Sequence, residues 1–595
     1  MSQYIDSRYV KNLDKCSKPV YKVSVEKDIP VTMRDGVRVL VDIFRPDVIA
    51  QEKFPALLAI SPFGKDVQEM ARWLPPQPNR SAMTDACLEA GDINYLVSRG
   101  YVFITCDPRG IGRSEGEYVG IFGSMAQDGY DVVEWAAEQP WCNGSVGMMG
   151  ICIFSASQLL VAGEQPPHLK AITPFDIFGD LYRDMIYHGG VLFSLMHAAY
   201  SGHNMNDSGL TRGNVNSIML KTCSKEEIDR LTEEAANRPE LRYNSRFYSI
   251  VRYPMTDPSF FDFLLNPNDG PFWDELSPSS RYDRIKVPVY AGSPWLAPSF
   301  IWPIFRIYDA LKAPLRLLIS PPRGLDRPFH EFHDELVRWF DYHLKGVDTG
   351  IMDEPPIKMF VMGANRWRYE SEWPLARTRW TKAYLRSFGR MLAEAPATEE
   401  PPDGFTQPAA LTTSNVYSVE YKTPPFAEDT DVTGPVTLYL HAAIDSEDTT
   451  FIADLKDVDP AGNETLLGLG YLRASHRALD PVKSKPYKPY HPHRISEPVV
   501  PGQVYEYAIE FTPIANVFRA GHCLKLVIRS QDNLMELRAA WGVYHLPNAT
   551  TVSHNIYHDR RNPSYLLLPI IPRTDASQWL TGGDIGVEAD GLPTL

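Results

Sequence analysis

The hydrophobic and polar positions of the chain follow three successive patterns. From Val20 to about Asp176, apolar runs of strand length, such as PALLAISPF and YVFITCDPRG, alternate with helical stretches and turn signals. Between about Ile177 and Ser280 the pattern becomes aromatic and helical, as in DLYRDMIYHGGVLFSLMHAAY. The alternation then resumes with IKVPVYAGSPW, and after Gly350 it gives way to short β-rich runs separated by Pro, Gly and Asp.

These patterns predict an α/β fold followed by an all-β domain. Strands that alternate with helices indicate βαβ units and a largely parallel sheet. Short strands between turn residues indicate an antiparallel sandwich or jelly roll. We therefore expect an α/β core in two parts (1–176 and 281–350), a helical cap inserted at 177–280, and a jelly-roll β domain at 351–595.

Composition and charge exclude several classes of protein. The chain has 595 residues, of which 44% are hydrophobic and 22% are charged, which is typical of a globular protein with more than one domain. The net charge of -15 repels phosphate backbones and anionic lipid surfaces, so we expect neither a nucleic-acid nor a membrane partner.

Cysteine usage and the N-terminal residues predict a cytoplasmic protein. The seven cysteines are scattered and contain no CxxC pair, which argues against a disulfide framework and a zinc site. The N-terminal residues lack an apolar signal-peptide core, and no stretch of about 18 apolar residues is present. The sequence is compatible with a homo-oligomer but does not specify one.

Five stretches of the chain together resemble one known family: TMRDGVRVLVDIFRP, DPRGIGRSEGEY, DGYDVVEWAAEQPWCNGSVGMMG, DIFGDLYRDMIYHGG and VMGANRWRYESEWPLART. They are similar to the cocaine-esterase-like (CocE/NonD) hydrolases, relatives of the X-Pro dipeptidyl peptidases and α-amino acid ester hydrolases. The resemblance covers almost the whole chain. It implies an α/β-hydrolase core with an inserted helical cap and a C-terminal jelly roll. It also implies a site between these parts that cleaves esters or amides through an acyl-serine intermediate.

The family's nucleophile position holds a cysteine. Five residues match the family pattern W-x-x-G-x-V-G-x-x-G-x-S-Y: Trp141, Gly144, Val146, Gly147 and Gly150. Cys152 therefore takes the place of the serine. At the N-terminus of a helix, a thiolate forms below the unperturbed thiol pKa of roughly 8.5, so Cys152 is the candidate nucleophile. The alternative is an inert, buried cysteine that only fills space.

The other catalytic positions implied by the resemblance are changed as well. The family's acid falls on Ala297, next to the matching Trp295, and the family's histidine falls on Gly324. Neither residue can carry a proton. The tyrosine whose hydroxyl helps to hold the oxyanion falls on Phe63, which leaves the backbone N–H of Ile153 as the remaining donor.

His330 is the candidate replacement for the missing base, since it lies six residues beyond Gly324 with Asp326 nearby. The alternative is a surface loop histidine. No group of residues has convincing spacing for a metal site, and we expect no cofactor.

Three cap residues, Tyr182, Tyr187 and His188, share an aromatic neighbourhood in the sequence. Together with Phe63 and Trp295 they are candidate contacts for a partly apolar small-molecule substrate. The alternative is that the cap residues pack in a core.

Three functions remain open from the sequence. The first is an acyl-processing enzyme in which Cys152 attacks an activated ester, thioester or lactone. The second is a repurposed, non-hydrolytic catalyst of cyclisation, isomerisation, condensation or acyl transfer on a small natural product, in secondary metabolism. The third is a pseudoenzyme that binds a ligand without turnover. The sequence favours the first, because the elbow that presents the nucleophile is retained.

Overall fold

The structure is a computed structural model that describes residues 10–48, 52–75, 88–193, 215–322, 325, 328–410, 412–533 and 545–572. Its N-terminal part is a mixed α/β domain and its C-terminal part is an all-β domain, as the patterns of the sequence predict. Among the described residues, ten strands form the core sheet in the order β1-β2-β4-β3-β6-β7-β11-β12-β13-β14. Their bounds are β1 Val23–Thr32, β2 Arg38–Pro46, β3 Phe54–Ile60, β4 Val102–Asp107, β6 Cys142–Ile151, β7 Leu169–Phe175, β11 Val289–Pro294, β12 Leu315–Ser320, β13 Ile357–Val361 and β14 Arg366–Glu370.

The middle of this sheet is parallel and buried on both faces. Strands β4, β3, β6, β7, β11, β12 and β13 pair in parallel, whereas β1, β2 and β14 add antiparallel edges. All seven residues of β3 are buried, because helices cover both sides of a parallel sheet. The carboxyl ends of these strands meet at one edge of the sheet, which is where ligands bind in open α/β folds.

Six helices accompany the core sheet: α1 Lys65–Gln68, α2 Ile93–Ser98, α3 Met125–Glu138, α4 Ile153–Glu164, α11 Pro298–Ala310 and α12 His333–Lys345. Helix α4 is buried along nearly its whole length, since it packs between α3 and the sheet. In the part of the chain that the structure describes, no helix is long and apolar enough to cross a bilayer.

The core sheet extends further along the chain than the predicted domain boundary at residue 350. The run IKMFV, assigned from the sequence to the β domain, forms β13 and pairs in parallel with β12. All five of its residues are buried. A short apolar run of this kind is equally typical of a parallel core strand and of a sandwich strand, so the hydrophobic pattern does not determine which sheet it joins. The run was therefore assigned to the wrong sheet: it pairs with the core sheet and not with the strands of the β domain.

The cap region is built mainly of helices. After a π-helical turn at Leu181–Ile186 come the strands β8 Tyr187–His188 and β9 Val191–Leu192, and β10 Val215–Asn216 pairs with β5 Tyr118–Val119. The cap helices are α5 Ile218–Thr222, α6 Lys225–Asn237, α7 Pro239–Arg242, α8 Ser245–Arg252, α9 Pro258–Leu265 and α10 Pro271–Leu276. Serine, asparagine or aspartate side chains cap four of these helices, at Ser217, Ser224, Asn244 and Asp257.

Thirteen strands form the C-terminal β domain within the described residues: β15 Arg379–Arg386, β16 Arg390–Leu392, β17 Asp403–Gln407, β18 Ser418–Lys422, β19 Thr430–Gly434, β20 Thr437–Ile444, β21 Thr450–Val458, β22 Glu464–Arg473, β23 Tyr505–Glu510, β24 Ile514–Phe518, β25 Cys523–Arg529, β26 Val552–Tyr557 and β27 Tyr565–Ile571. Almost every pair is antiparallel, and the exception is a single parallel contact between β16 and β18.

The cap docks into the β domain through the β8–β9 hairpin, a contact that we call the cap–β junction (Tyr187–Phe193 against residues 471–476 and 545–546). The backbone of Gly189 accepts a hydrogen bond from Arg473 N at 2.9 Å, and Leu546 N donates to Leu192 O at 2.9 Å. Gly189 has φ 57°, and a Cβ atom there would lie 2.0 Å from the carbonyl oxygen of Tyr471. Only glycine permits this approach of two backbones.

Candidate active site

The candidate nucleophile sits in a strained turn between β6 and α4. Cys152 has φ 61° and ψ −117°, a left-handed conformation that costs a non-glycine residue on the order of 1–3 kcal/mol. The turn is held by its backbone, because Cys152 N donates to Phe175 O at 3.0 Å and Ser155 N donates to Cys152 O at 2.9 Å. Two residues earlier, Gly150 has φ 137°, and a Cβ there would lie 2.4 Å from Phe154 Cβ.

The N-terminus of α4 points hydrogen-bond donors at this turn. Ser155 N and Ala156 N bond to the carbonyl of Cys152. The N–H groups of Ile153 and Phe154 belong to the first turn, which has no carbonyl partner within the helix. They and the helix dipole favour negative charge near Cys152. Cys152 itself is only 5% exposed, so the site is nearly closed in this conformation.

Aromatic side chains surround the elbow. Phe63 lies edge-on to Phe154 with 6.2 Å between ring centroids, and it is 2% exposed. Phe175, at the end of β7, contacts the rings of Phe329 and Phe332 at 5.4 and 5.9 Å. Phe63 thus contacts the first turn of α4 through Phe154, and the catalytic and binding roles of Cys152, Ile153 and Phe63 stay predictions.

A buried ion-pair network anchors the loop that carries Phe63. Lys65 Nζ lies 2.7 Å from Asp28 and 2.8 Å from Asp42, and its side chain is fully buried. Burial alone would lower the pKa of Lys65, but the hydrogen bonds to these two carboxylates raise it above its usual value. Lys65 N also donates to Asp107 Oδ1 at 2.7 Å, while burial raises the pKa of Asp107 to about 7.

One acidic residue beside the elbow was missed from the sequence. Asp176 directly follows β7, is completely buried and has φ 48°. Its N–H donates to Gly292 O at 2.8 Å, and its carbonyl accepts from Ser155 Oγ at 3.2 Å. The signal was an aspartate at the carboxyl end of a buried parallel strand, in LKAITPFD.

The residues after β11 are apolar or structural. Ala297 precedes α11 and is 3% exposed, so no carboxylate occupies that position. The Trp295 indole N–H donates to Phe360 O of β13 at 2.6 Å, and its ring stacks on Phe305. Trp295 therefore ties β11 to the far side of the sheet, and its role as a substrate contact stays a prediction. Gly324, the position of the family histidine, lies outside the described residues.

His330 is paired with an acid other than the one predicted. Its Nε2 lies 3.3 Å from Asp92 Oδ2, which also lies 3.5 Å from His333 Nδ1. His333 stacks on Tyr95 with 3.7 Å between the ring centroids. Asp326 lies outside the described residues. His330 thus belongs to a half-exposed cluster at the start of α2 and α12, and its service as a base to Cys152 stays a prediction.

Tyr182 and Tyr187 lie in the packed interior of the cap. Their rings stack at 4.9 Å, and both contact Trp273. Their hydroxyls donate to backbone carbonyls, Tyr182 to Pro267 at 3.0 Å and Tyr187 to Phe263 at 3.1 Å. This packing favours a structural role over contact with substrate, since neither hydroxyl is left to bind a ligand.

His188 lies at the cap–β junction and is completely buried. Its Nδ1 lies 3.0 Å from Nε2 of His545, and its Nε2 lies 3.0 Å from the carbonyl oxygen of Asp184. Burial, and then the neighbouring His545, hold the pKa of His188 well below its usual range. His545 and Asp532, which contacts it, were not found from the sequence, because they lie more than 340 residues from His188 and have no local motif.

A separate cavity of about 440 Å³ lies between the cap, α11 and the β domain. Its lining includes Trp302, Arg306, Tyr471, Tyr490 and Glu510, and Cys152 is not part of it. Burial raises the pKa of Glu510, although Arg306 and other nearby cations oppose the shift. The cavity and the elbow are therefore distinct features.

Comparisons with known proteins agree with this architecture. A family model described as X-Pro dipeptidyl-peptidase (S15 family) matches residues 35–323, and one described as X-Pro dipeptidyl-peptidase C-terminal non-catalytic domain matches residues 349–567. Cocaine esterase from Rhodococcus sp. is 26% identical over 613 residues, which cover 92% of this chain and 99% of that protein. In that alignment the similarity spans both domains.

Solved structures share the fold. A CocE/NonD family hydrolase from Staphylococcus aureus superposes with a TM-score of 0.71 at 22% identity, covering 92% of this chain and 94% of that one. An α-amino acid ester hydrolase superposes with a TM-score of 0.70 at 18% identity, covering 92% and 97%. At these identities the likeness establishes the fold alone.

Proposed function

Because the chain belongs to the CocE/NonD family of α/β-hydrolases, whose relatives are esterases and dipeptidyl peptidases, we propose that it is an acyl-processing enzyme in which Cys152 replaces the family's serine. The family relationship supports a hydrolase. The cysteine nucleophile and the substrate class are our proposal.

One observation carries the proposal: Cys152 occupies the strained turn at the N-terminus of α4. Its left-handed conformation, at φ 61°, is maintained at a cost in stability and presents the side chain at the carboxyl edge of the sheet. A cysteine that only filled space would not need this conformation. The donors of Ile153 and Phe154 favour a thiolate over a thiol at this position.

The covalent step follows from this geometry. The Cys152 thiolate attacks the acyl carbon, and the Ile153 N–H stabilises the negative charge on the acyl oxygen. The tetrahedral adduct then expels the leaving group with its electron pair and leaves an acyl-cysteine thioester. Water or another nucleophile attacks the thioester, gives up a proton to the expelled leaving-group anion, takes the acyl group and regenerates the thiolate.

The substrate class follows from what the site lacks. Ala297 cannot orient a histidine, and Phe63 cannot donate a hydrogen bond to the oxyanion. With no acid at these family positions, leaving groups that are stable as anions depart most readily. This favours activated esters, thioesters and lactones over amides, and the surrounding phenylalanines favour a partly apolar acyl group.

The decisive experiment compares Cys152→Ala and Cys152→Ser with the wild type on p-nitrophenyl esters. We expect a covalent acyl adduct of Cys152, seen by mass spectrometry, and loss of both adduct and turnover in Cys152→Ala. Cys142→Ala, a buried cysteine at the start of β6, is the matched control and should retain activity. Turnover by Cys152→Ala at the wild-type rate would contradict covalent catalysis.

A non-hydrolytic catalyst is the second candidate, favoured by the closure of the site. Cys152 is 5% exposed and Phe63 is 2% exposed, so the elbow excludes water, and an acyl group could pass to a second substrate instead. Turnover in ¹⁸O-labelled water separates the two candidates. Hydrolysis places one ¹⁸O atom in the released acid, whereas cyclisation or acyl transfer gives a product without it.

A further inference from the structure

Two histidines and an aspartate form a hydrogen-bonded chain through the cap–β junction. Asp532 Oδ2 lies 3.0 Å from His545 Nδ1 and accepts the His545 backbone N–H at 2.5 Å. His545 Nε2 lies 3.0 Å from His188 Nδ1. The far nitrogen of His188, Nε2, faces two oxygen atoms, the carbonyl of Asp184 at 3.0 Å and Ser299 Oγ at 3.4 Å.

Counting protons distinguishes two states of this row of hydrogen-bonded side chains, and only the state with one additional proton satisfies every contact. With Asp532 ionised and both imidazoles neutral, His545 donates from Nδ1 to Asp532, and His188 donates from Nδ1 to His545. The Nε2 lone pair of His188 then accepts from Ser299 at 3.4 Å, but it also faces the Asp184 carbonyl oxygen at 3.0 Å with no proton between the two atoms. With one more proton, His545 donates from both nitrogens, and His188 Nε2–H donates to the Asp184 carbonyl instead.

In the second state the added proton is held on His545, the imidazole that contacts the Asp532 carboxylate. In the second state the positive charge lies on His545, next to the Asp532 carboxylate, and not on His188. The low pKa of His188 agrees with this assignment, because burial makes a charge on its own ring unfavourable. A proton received at His188 Nε2 therefore moves one ring further by hydrogen-bond exchange.

The row of hydrogen-bonded side chains ends at Ser299, which lies at the carboxyl edge of the core sheet. Ser299 lies in the first turn of α11, which follows β11, and β11 is separated from β6 only by β7. Neighbouring strands lie about 4.8 Å apart, so the ends of β11 and β6 are about 10 Å apart. Phe300, the next residue, contacts Phe178 from the loop after β7, with the rings tilted and their centroids 4.9 Å apart. Ser299 therefore follows a strand that ends at the same edge of the sheet as β6, which carries the elbow.

The charged groups around the chain are paired with other partners. The Asp184 carboxylate pairs with Arg306 of α11, and Arg529 of β25 pairs with Asp454 of β21. The ring of Tyr471 on β22 contacts that of His545 in a tilted arrangement with 4.1 Å between centroids, and the Tyr471 hydroxyl has no hydrogen-bond partner within the described residues. Trp302 and Phe193 close the remaining sides of His188.

We propose that Asp532, His545 and His188 form a proton relay that ends at Ser299 Oγ and supplies the acid–base group at this edge of the sheet. Ser299 is the residue that contacts substrate, and the three others act through it as positioning residues. A proton leaves the substrate or water for Ser299 as the Ser299 proton passes to His188, and the His188 Nδ1 proton passes to His545. The reverse movement delivers a proton to a leaving group.

This inference rests on the proposed function only in placing the acyl group at the edge that Cys152 and Ser299 share. It assigns acid–base chemistry to Asp532 and His545, which lie within the segment matched by the model described as a non-catalytic domain. It also supplies a proton carrier that the positions Ala297 and Gly324 do not provide.

The first test does not depend on activity. In protein labelled with ¹⁵N-histidine, the signals of His188 and His545 are assigned with His188→Gln and His545→Gln. We expect Asp532→Asn to change the protonation pattern of both rings. Asp403→Asn is the matched control, since it removes a carboxylate 3.0 Å from His558 in the same domain and should change His558 alone. Unchanged His188 signals in Asp532→Asn would overturn the relay.

The second test uses leaving groups of different basicity. We expect Ser299→Ala and His545→Gln to lower turnover of an alkyl ester by about 100-fold and of a p-nitrophenyl ester by less than about tenfold, and to remove one ionisation from the pH profile. Ser320→Ala, a buried serine at the end of β12 bonded to Pro321 O, is the control. Equal losses for both esters with an unchanged pH profile would overturn the relay.

The two tests separate this inference from the proposed function. If Cys152→Ala abolishes the acyl adduct while the relay variants behave like Ser320→Ala, the relay is wrong and the nucleophile stands. If Cys152→Ala retains turnover, the nucleophile is wrong, and the ¹⁵N signals of Asp532→Asn still decide the relay.

Discussion

The elbow at Cys152 and the cap–β junction at His188 are opposite in character. The elbow keeps a strained backbone and helix donors but is surrounded by phenylalanines, and the acid and histidine positions that the resemblance implies hold Ala297 and Gly324. The junction has a hydrogen-bonded chain of imidazoles and a carboxylate that spans cap and β domain. On our two proposals, different segments of the chain supply the nucleophile and the proton relay at one edge of the core sheet, so substitutions can alter each of them separately.

A substitution that prevents the close backbone contact at the cap–β junction should have the largest effect on stability. In Gly189→Ala the new Cβ would lie 2.0 Å from Tyr471 O, a backbone atom that cannot move aside. We expect a loss of about 3 kcal/mol in the free energy of unfolding from strain and overpacking. Gly144→Ala is the control, because Gly144 also has a positive φ but nothing lies within 4 Å of its Cβ position. Equal losses in urea denaturation would show that the junction is loosely packed.

The junction should also make the protein sensitive to acid. Burial lowers the pKa of His476, which contacts Gly190, to about 3. The unfolded chain binds the proton near pH 6.5 and the folded chain does not, so stability is present above that pH and is lost as the pH falls toward 3. At pH 5 this costs about 2 kcal/mol.

Urea denaturation at pH 7.5 and pH 5.0 measures this loss. We expect His476→Gln to lose about 2 kcal/mol less than the wild type between the two pH values. His168→Gln, which changes a histidine with a 43% exposed side chain, should follow the wild type. The same pH dependence in His476→Gln and wild type would contradict burial as the cause.

At the elbow, the missing oxyanion donor should be recoverable in part. In Phe63→Tyr we expect acylation of Cys152 by p-nitrophenyl esters to rise about tenfold, because the hydroxyl supplies a second donor to the acyl oxygen. Burst kinetics measure the rate. Phe122→Tyr, an equally buried phenylalanine before α3, is the control. A slower burst in Phe63→Tyr than in Phe122→Tyr would show that Phe63 does not face the reacting carbonyl.

The smallest expected effect measures the strain of the elbow directly. Cys152→Gly should be more stable than Cys152→Ala by about 1 kcal/mol, because both lose the sulfur but only glycine adopts φ 61° without strain. At Cys142, on β6, the order should reverse, since glycine weakens a strand. Chemical denaturation of the four variants gives both differences.

Much of the fold could be predicted from the sequence, because the spacing of hydrophobic residues indicates which face of each strand or helix is buried. The alternation of strands and helices predicted the core, and the structure confirms it. The strand β13 was assigned to the wrong sheet, since a buried strand looks the same whichever sheet it joins. The predicted boundaries of cap and jelly roll stay predictions.

The candidate site was accessible only where it is local in sequence. The glycine spacing placed Cys152 correctly in its turn, because Gly150 is needed within two residues of it. His188 was predicted as a substrate contact and that role stays a prediction, whereas its partners at residue 545 and on α11 are distant in the sequence and could not be predicted. The tandem glycines that follow His188 allow the hairpin to approach the end of β22 closely, and they are the local sign of that approach in the sequence.

The hairpin at Gly189 and Gly190 also constrains how such a protein can evolve. Exchange of the C-terminal domain alone, by recombination between relatives, would have to preserve both a backbone groove at Tyr471 and the imidazole at His545. Chimaeric proteins made from two relatives should therefore be active only when the cap and the C-terminal domain come from the same parent.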